Sequence, residues 1–301
     1  MIEDKNFKAG YVAIVGEPNV GKSTLMNALL NQKISIVTSK PQTTRRKVLG
    51  ILTGENYQII FLDTPGLLKP RYLLQEMMMH IAGEAIEDSD VVLLMIEANA
   101  PIDEHFLDDI QFEKLKTAAK PVILALNKSD LVENKNEILP VIEFYHKIFP
   151  FPEIVPISAL KQEGLDELLK CLVQYLPSNP PFYPSDMISD HPERFFVGEI
   201  IREKIFERYR QEIPYSTEVA ILDFKERERG KDFISAEIYV ERESQKGILI
   251  GKGGLKLKEI GELARKEIEE FLGRRVFLEL HVKVRERWRD SEAWLRRFGY
   301  K

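Results

Sequence analysis

Apolar and polar positions follow two different rhythms along this chain of 301 residues. Between Tyr11 and about Tyr175, short β-branched apolar runs alternate with longer stretches whose apolar residues recur every three or four positions. The runs Tyr11–Val15, Val48–Thr53, Gln58–Leu62, Val91–Ile96, Pro121–Leu126 and Ile154–Ile157 predict strands. The stretches Lys22–Asn31, Leu73–Asp88, Glu104–Ala118, Glu137–Ile148 and Leu165–Tyr175 predict helices. Short apolar strands separated by helices imply a mostly parallel sheet covered on both faces. On such a sheet, ligands bind at the carboxyl ends of the strands.

The rhythm changes after residue 176. Pro177-Ser-Asn-Pro180-Pro181-Phe-Tyr-Pro184 is stiff and turn-rich, the composition of a linker. Beyond it the pattern predicts a helix near Glu193–Arg210, strands near Thr217–Arg227 and Phe233–Arg242, a helix near Leu255–Leu272 and a strand near Val276–Val284. The turn Glu228-Arg-Gly-Lys231 joins the first two strands as a hairpin. The expected organisation is a first domain over 7–176, a linker over 177–190, a second domain over 191–285 and a basic tail over 286–301.

Composition adds few exclusions. Charged residues are 30% and apolar residues 44%, enough for soluble surfaces and real cores. The densest apolar run, Val91–Ile96, is far shorter than the ~20 residues needed to span a bilayer, and Met1-Ile-Glu-Asp-Lys5 is too charged to open a cleavable signal. One cysteine, Cys171, excludes an internal disulfide framework and suits a reducing compartment. The five histidines are scattered, without metal-ligand spacing. The net charge of −5 conceals a segregation: residues 244–301 carry fifteen basic against nine acidic side chains. An anionic partner for the second domain is the natural reading.

The strongest chemical signal is Gly16-Glu17-Pro18-Asn19-Val20-Gly21-Lys22-Ser23-Thr24, a G-x-x-x-x-G-K-S loop between a predicted strand and a predicted helix. In that setting backbone N–H groups cradle a polyphosphate, Lys22 reaches the β/γ-phosphates and Ser23 holds Mg²⁺. Asp63-Thr64-Pro65-Gly66 follows the strand at Gln58–Leu62. There Asp63 can hold Mg²⁺ through water and Gly66 can offer its N–H to the γ-phosphate. Thr44, with Thr43 as the second choice, completes the metal shell from the loop between these motifs. Lys22, Thr44 and Gly66 are the candidate catalytic residues.

Asn127-Lys128-Ser129-Asp130 follows another strand. A carboxylate at Asp130 accepts two hydrogen bonds from the N1–H and 2-amino edge of guanine. Adenine lacks that amine and would leave the carboxylate unpaired. Asn127 can bridge base and loop, and the Lys128 stem can lie over the ring. In Ser158-Ala159-Leu160 the Ala159 N–H is a candidate for the guanine O6. Leu67 follows Gly66, and its side chain cannot hydrogen-bond an attacking water.

In the second domain, Ile248-Leu-Ile250-Gly251-Lys252-Gly253-Gly254 precedes a long helical pattern that carries Lys256 and Lys258. This fits the G-x-x-G loop of a KH domain, which clamps a few nucleotides of single-stranded RNA against an apolar groove. The order helix–strand–strand–Gly loop–helix–strand is the prokaryotic KH order. Arg274, Arg275, Lys283, Arg285, Arg287 and Arg289 are further candidates for phosphate contacts.

Taken together, the G-E-P-N-V-G-K-S loop, the Q-T-T-R-R segment and the second domain resemble the Era family of GTPases over nearly the whole chain. The resemblance implies a P-loop GTPase domain followed by an α+β prokaryotic-type KH domain. It implies a slow GTP-hydrolysing switch that binds the 3′ end of small-subunit ribosomal RNA and assists 30S assembly. A hydrophobic residue at Leu67 is normal in that group. The implied cofactors are Mg²⁺ and, through Asn19, K⁺. The implied location is the cytoplasm and the inner face of the cell membrane, and a monomer is expected. Two rivals are a GTPase coupled to RNA modification and an RNA chaperone with a vestigial nucleotide site. The first lacks a C-terminal reactive cysteine, and the second is disfavoured by the complete set of guanine-reading residues.

Overall fold

A computed structural model describes residues 7–100, 115–117 and 119–300. The chain divides into two compact units. The first comprises residues up to Ser35, Thr44–Lys69 and Met78–Asp190; the second comprises Ile36–Thr43, Pro70–Met77 and His191–Lys301.

The first unit is built on a six-stranded sheet in the order β2-β3-β1-β4-β5-β6. Its strands are β1 (Lys8–Gly16), β2 (Val48–Thr53), β3 (Tyr57–Asp63), β4 (Val91–Glu97), β5 (Val122–Asn127) and β6 (Ile154–Pro156). All pairings are parallel except β2 with β3, a hairpin closed at Gly54. Val91–Ile96 of β4 is buried without interruption, as a central strand covered on both faces requires. Helices α1 (Lys22–Leu30), α2 (Leu73–Asp88), α3 (Ile138–Ile148) and α4 (Leu165–Tyr175) follow the expected stretches to within one residue; most of α2 belongs to this unit. The helix expected over 104–118 lies outside the described residues, apart from 115–117, which is helical.

Because β1, β3, β5 and β6 run in one direction, their carboxyl ends deliver the loops at 16–21, 63–67, 127–130 and 157–160 to the same edge. The Pro-rich segment is no free tether. Gln58 Nε2 donates to the Tyr183 carbonyl, and the Phe182 and Tyr183 amides donate back to Gln58 Oε1. The Ile51 amide donates to the Ile188 carbonyl, and Ser189 Oγ to that of Leu49. Residues through Asp190 therefore belong to the first unit.

The second unit runs α5 (Glu193–Arg208), β7 (Glu218–Lys225), β8 (Asp232–Val240), α6 (Glu243–Ile250), α7 (Leu255–Leu272), β9 (Val276–Val284) and α8 (Glu292–Arg297). Its sheet has the order β7-β8-β9, with β7/β8 antiparallel and β8/β9 parallel. Apolar faces of α5 and α7 cover one side of the sheet in a single core that includes Ile201, Ile205, Ile260, Ala264, Ile234 and Ile238. Sequence patterning gives no sign of α6 or α8 as helices. The expected basic tail is folded into this unit: Trp288 is fully buried with Nε1 donating to the Ser216 carbonyl, and the Tyr300 hydroxyl donates to Glu218 at 2.8 Å.

Candidate nucleotide site and nucleic-acid interface

The nucleotide site lies wholly within the first unit. The loop after β1 turns sharply, with φ of +64° at Asn19 and +104° at Gly21. A β-carbon at Gly21 would strike the Asn127 side-chain amide, so this position needs glycine. Lys22 opens α1 and is 6% exposed. Its ammonium donates to the carbonyls of Gly16 at 3.0 Å and Glu17 at 2.8 Å. Burial pulls its pKa down to about 8, against the opposing pull of Asp63 and Glu17. An ammonium curled onto its own loop, held by neutral carbonyls and poorly solvated, is primed to exchange them for phosphate oxygens.

Ser23, Thr44 and Asp63 converge. Ser23 Oγ donates to Asp63 Oδ2 at 2.7 Å and lies 2.9 Å from Thr44 Oγ1. Asp63 is fully buried, and burial raises its pKa despite the hydrogen bond from Ser23 and the charge of Lys22. Asp63 Oδ1 is buried with no hydrogen-bond partner. A buried, unsatisfied carboxylate oxygen beside two hydroxyls is a hard-oxygen donor set, and it fits Mg²⁺. Thr43 does not join it: its hydroxyl donates to the Lys40 carbonyl at 2.7 Å and pairs with Thr38 at 2.7 Å.

After β3, Thr64 Oγ1 donates to the Ile14 carbonyl at 2.7 Å, and the Leu67 amide donates to Gly16 at 3.0 Å. A β-carbon at Gly66 would come within 2.7 Å of the Pro18 backbone. The 63–67 loop thus lies directly against the phosphate loop, which suits a glycine whose amide serves the terminal phosphate. Leu67 is buried in the core with Ala13, Val15 and Leu94. Its side chain is a packing element and takes no part in orienting water.

The base-reading loops are tied together by Asn127. Its Nδ2 donates to the Val20 carbonyl at 2.7 Å, and its Oδ1 accepts from the Ala159 amide at 2.9 Å. The Ala159 N–H, expected to be open to a guanine O6, is thus held by Asn127, and its side chain is buried. Asp130 is exposed, and its Oδ1 accepts from Ser158 Oγ at 2.6 Å. Lys128, at φ +62°, pairs with Glu97. The sequence reading missed Glu97. It ends β4 in register with Asn127, a pairing visible only once the strands are aligned. Leu160 is 74% exposed at the rim.

The second unit carries the other candidate surface. The Gly loop follows α6 and caps α7, with φ of +70°, +60° and +79° at Gly251, Gly253 and Gly254. Lys252, Lys256 and Lys258 are exposed around it, as are Ile248 and Leu255, while Ile250 packs against the core. Lys256 Nζ lies 5.9 Å from the Tyr209 ring centroid, and Lys258 pairs with Glu262 at 3.9 Å. Exposed cations, exposed aliphatic side chains and a helix N-terminus at a sharp glycine turn form a place for a sugar–phosphate backbone.

Several other predicted phosphate contacts are engaged elsewhere. Arg274 is bound by Glu193, Asp232 and Glu226, and Arg289 by Glu241. Lys283 faces Glu237 at 3.9 Å, and Arg285 lies over the Trp294 ring. These side chains have partners within their own unit.

Comparison with known proteins agrees with both halves. A family model described as 50S ribosome-binding GTPase matches residues 11–128, and a KH-domain model matches residues 212–289. The chloroplastic GTPase ERA1 of Zea mays is 47% identical over 298 residues, covering 98% of this chain and 71% of that protein. A variant of Aquifex aeolicus Era bound to GDP·AlF4⁻ superposes with a TM-score of 0.91 at 46% identity, covering 98% of this chain and 99% of that one. Era in complex with MgGDPNP and nucleotides 1506–1542 of 16S ribosomal RNA gives a TM-score of 0.92 at 47% identity, with the same coverage. The P-loop site, the guanine-reading loops and the KH unit occur together in one chain of this likeness, so the protein belongs to the Era family of GTPases, enzymes that hydrolyse GTP to GDP and phosphate.

Proposed function

We propose that this GTPase is a switch that binds the 3′ end of small-subunit ribosomal RNA through its KH unit and assists assembly of the 30S subunit. The observation that carries the reading is the pairing, in one chain, of a complete guanine-reading edge (Asn127, Asp130, Ser158) with a cationic Gly loop at the start of α7. The relative crystallised with a 16S ribosomal RNA segment supports the choice of RNA.

In this reading the backbone of Gly16–Thr24 and Lys22 hold the phosphates, and Ser23, Thr44 and, through water, Asp63 hold Mg²⁺. The ion supplies charge neutralisation of the β- and γ-phosphates. Lys22 adds a fixed positive charge at the same place. Gly66 senses the terminal phosphate; Thr64 and Pro65 set its loop. Asp130 reads guanine, oriented by Ser158, with Lys128 over the base and Leu160 at its edge. Leu67 leaves the water to backbone groups and to the Thr44 loop, so intrinsic hydrolysis is slow. Asn19 would hold K⁺, whose charge near the phosphates would raise the rate. On the RNA side, Ile248 and Ile250 line the groove, Gly251–Gly254 admit the backbone, and Lys252, Lys256 and Lys258 neutralise phosphates. The same reading makes the protein a cytoplasmic monomer with peripheral contact at the inner membrane face. Among the described residues no helix is long and apolar enough to cross a membrane.

The test is RNA binding measured with a non-hydrolysable GTP analogue and with GDP. A difference in affinity between the two states is expected, since a ligand shifts an equilibrium only by its differential affinity. Equal affinities would remove coupling through RNA binding. A turnover equal in Na⁺ and K⁺ would remove the role given to Asn19.

A further inference from the structure

Helices cover the sheet of the second unit on one side. Ile234, Ala236 and Ile238 of β8 and Val276 and Val282 of β9 enter the core there. Successive side chains of a strand alternate between faces, so Phe233 and Phe277 stand on the other side. They are partners in the parallel β8/β9 register. Their rings are stacked, with centroids 6.0 Å apart and planes 14° apart. Phe277 is 54% exposed. Further along the same face α8 provides cover, because Tyr239 packs against Trp294 and Phe298 at centroid distances of 5.7 and 5.0 Å.

Two cations frame the open pair. Lys225 is the partner of Phe233 in the β7/β8 register, and its ammonium lies 5.7 Å from that ring's centroid. The Arg227 guanidinium carbon lies 5.9 Å from the same ring. Both side chains are exposed. Lys225 shares its charge with Asp223 at 3.2 Å, whereas Arg227 makes no ion pair among the described residues. The neighbouring acids turn elsewhere: Glu226 and Asp232 engage Arg274, which lies over Phe224, a ring packed against the core. On the open face itself, Glu237 and Glu279 lie beyond the ring pair towards α8. Glu237 accepts from the Tyr239 hydroxyl, and Glu279 meets His281 at 3.4 Å.

Stacked rings that face water are a costly surface, and an apolar partner would cover them. Such a partner would also desolvate Lys225 and Arg227 without pairing them. A partner with flat aromatic groups joined by anionic links satisfies rings and cations together, and that is the chemistry of a single strand of RNA. We propose that the Phe233–Phe277 platform is a second contact for single-stranded RNA, on the side of the sheet away from α7 and its Gly loop. One base stacks on Phe277, and Lys225 and Arg227 take the adjoining phosphates. The proposal extends the RNA reading of this unit and stands separately from the role given to the Gly loop.

The experiment uses the full chain and a ten-nucleotide oligouridylate carrying one 5-iodouridine, photocrosslinked at sub-saturating RNA and low salt, with the crosslinked peptides mapped by mass spectrometry. Crosslinks are expected on the peptides that carry Phe277 or Phe233 as well as at the Gly loop. Phe277→Ala should lower the platform yield by about tenfold, the loss of one base stack, and leave the Gly-loop yield unchanged. Phe277→Trp keeps a stacking face and should hold the platform yield within about threefold of the unsubstituted chain. If the alanine variant does not fold, Arg227→Gln at an exposed position carries the test, with a loss of about threefold expected. Crosslinks confined to the Gly loop overturn the proposal, as does a platform yield that neither Phe277→Ala nor Arg227→Gln lowers. If Phe277→Ala alters self-association by light scattering while crosslinking stays as it was, the face is an interface between copies of the chain and the proposal is wrong. Failure of Lys252→Ala to weaken the Gly-loop crosslink would instead count against the reading of that loop and leave the platform standing.

Discussion

Ser23 Oγ donates a 2.7 Å hydrogen bond to Asp63 Oδ2 across 40 residues of sequence, and this bond closes the site proposed for Mg²⁺. The same hydroxyl lies 2.9 Å from Thr44 Oγ1, so a single serine draws the phosphate loop, the Thr44 loop and the end of β3 to one point. Asp63 keeps one buried oxygen without a partner. The arrangement holds the donors together and leaves part of the carboxylate unsatisfied, a deficit that the proposed Mg²⁺ would relieve.

Asp63→Asn removes the charge and keeps the shape. The variant should still bind GDP in the absence of metal. Mg²⁺ dependence of turnover should shift, with metal affinity or activity falling by about 10–100-fold, the usual cost of losing a group that orients metal ligands. A Mg²⁺ titration of GTP hydrolysis gives the answer, and an unchanged midpoint would exclude Asp63 from the metal site.

Lys22 predicts a pH dependence. Burial lowers its pKa from 10.5 to about 8 in the free protein. Phosphate oxygens bind the ammonium form, so in the complex the proton is retained to higher pH. Nucleotide affinity should therefore be insensitive to this group below about pH 8 and weaken by about tenfold per pH unit above it. Calorimetry near pH 9 in buffers of different ionisation enthalpy should show uptake of a proton on binding. Stability of the free protein moves the other way. The unfolded chain holds the proton up to about 10.5 while the folded one releases it near 8, so this group's contribution to stability rises with pH across that window.

Much of this site was legible in the sequence because its chemistry is local. The turn at Gly21, the lysine that follows and the strand before them occupy consecutive positions, and the motif order fixes the sheet edge. Helices Leu73–Asp88, Leu165–Tyr175 and Leu255–Leu272 follow from apolar spacing alone. What escaped is what depends on distant partners. The Ala159 amide looks free until Asn127 is seen to hold it. Glu97 and Arg274 are ordinary charges in sequence, and only tertiary pairing separates them from solvated side chains. Helix α6 escaped for a different reason. Its N-cap is Arg242, outside the usual Ser, Thr, Asp and Asn set, and Gln245 Oε1 accepts from the Glu241 and Arg242 amides instead.

Guanine selectivity should depend on Ser158 as well as Asp130. Ser158 Oγ donates to Asp130 at 2.6 Å and accepts from the Lys161 amide at 3.1 Å, which fixes the hydroxyl and aims the carboxylate. Asp130→Ala removes the acceptor and should weaken GTP by about 10–100-fold with little effect on ATP. Ser158→Ala leaves the carboxylate but frees its rotamer, and a smaller loss of about three- to tenfold is expected. Competition binding of GTP against ATP reads both. A serine variant as damaged as the aspartate variant would mean that Ser158 does more than orient.

The lysines around the Gly loop should differ in how they respond to salt. Each phosphate contact on single-stranded RNA contributes about 0.7 to the slope of log affinity against log salt. Lys252 is exposed and has no carboxylate partner among the described residues, and Lys256 is exposed beside the Tyr209 ring. Lys252→Ala and Lys256→Ala should each reduce the slope by about 0.7. Lys258 gives up a pairing with Glu262 to reach RNA, so Lys258→Ala should change the slope equally and the affinity less. Lys283, whose ammonium lies 3.9 Å from Glu237, is the control, and Lys283→Ala should leave the slope unchanged. If all four variants shift the slope alike, the RNA is held by diffuse charge on the whole unit. A slope carried by Lys252 and Lys256 alone would place the phosphates at the N-terminus of α7, where the glycine turn leaves room for them.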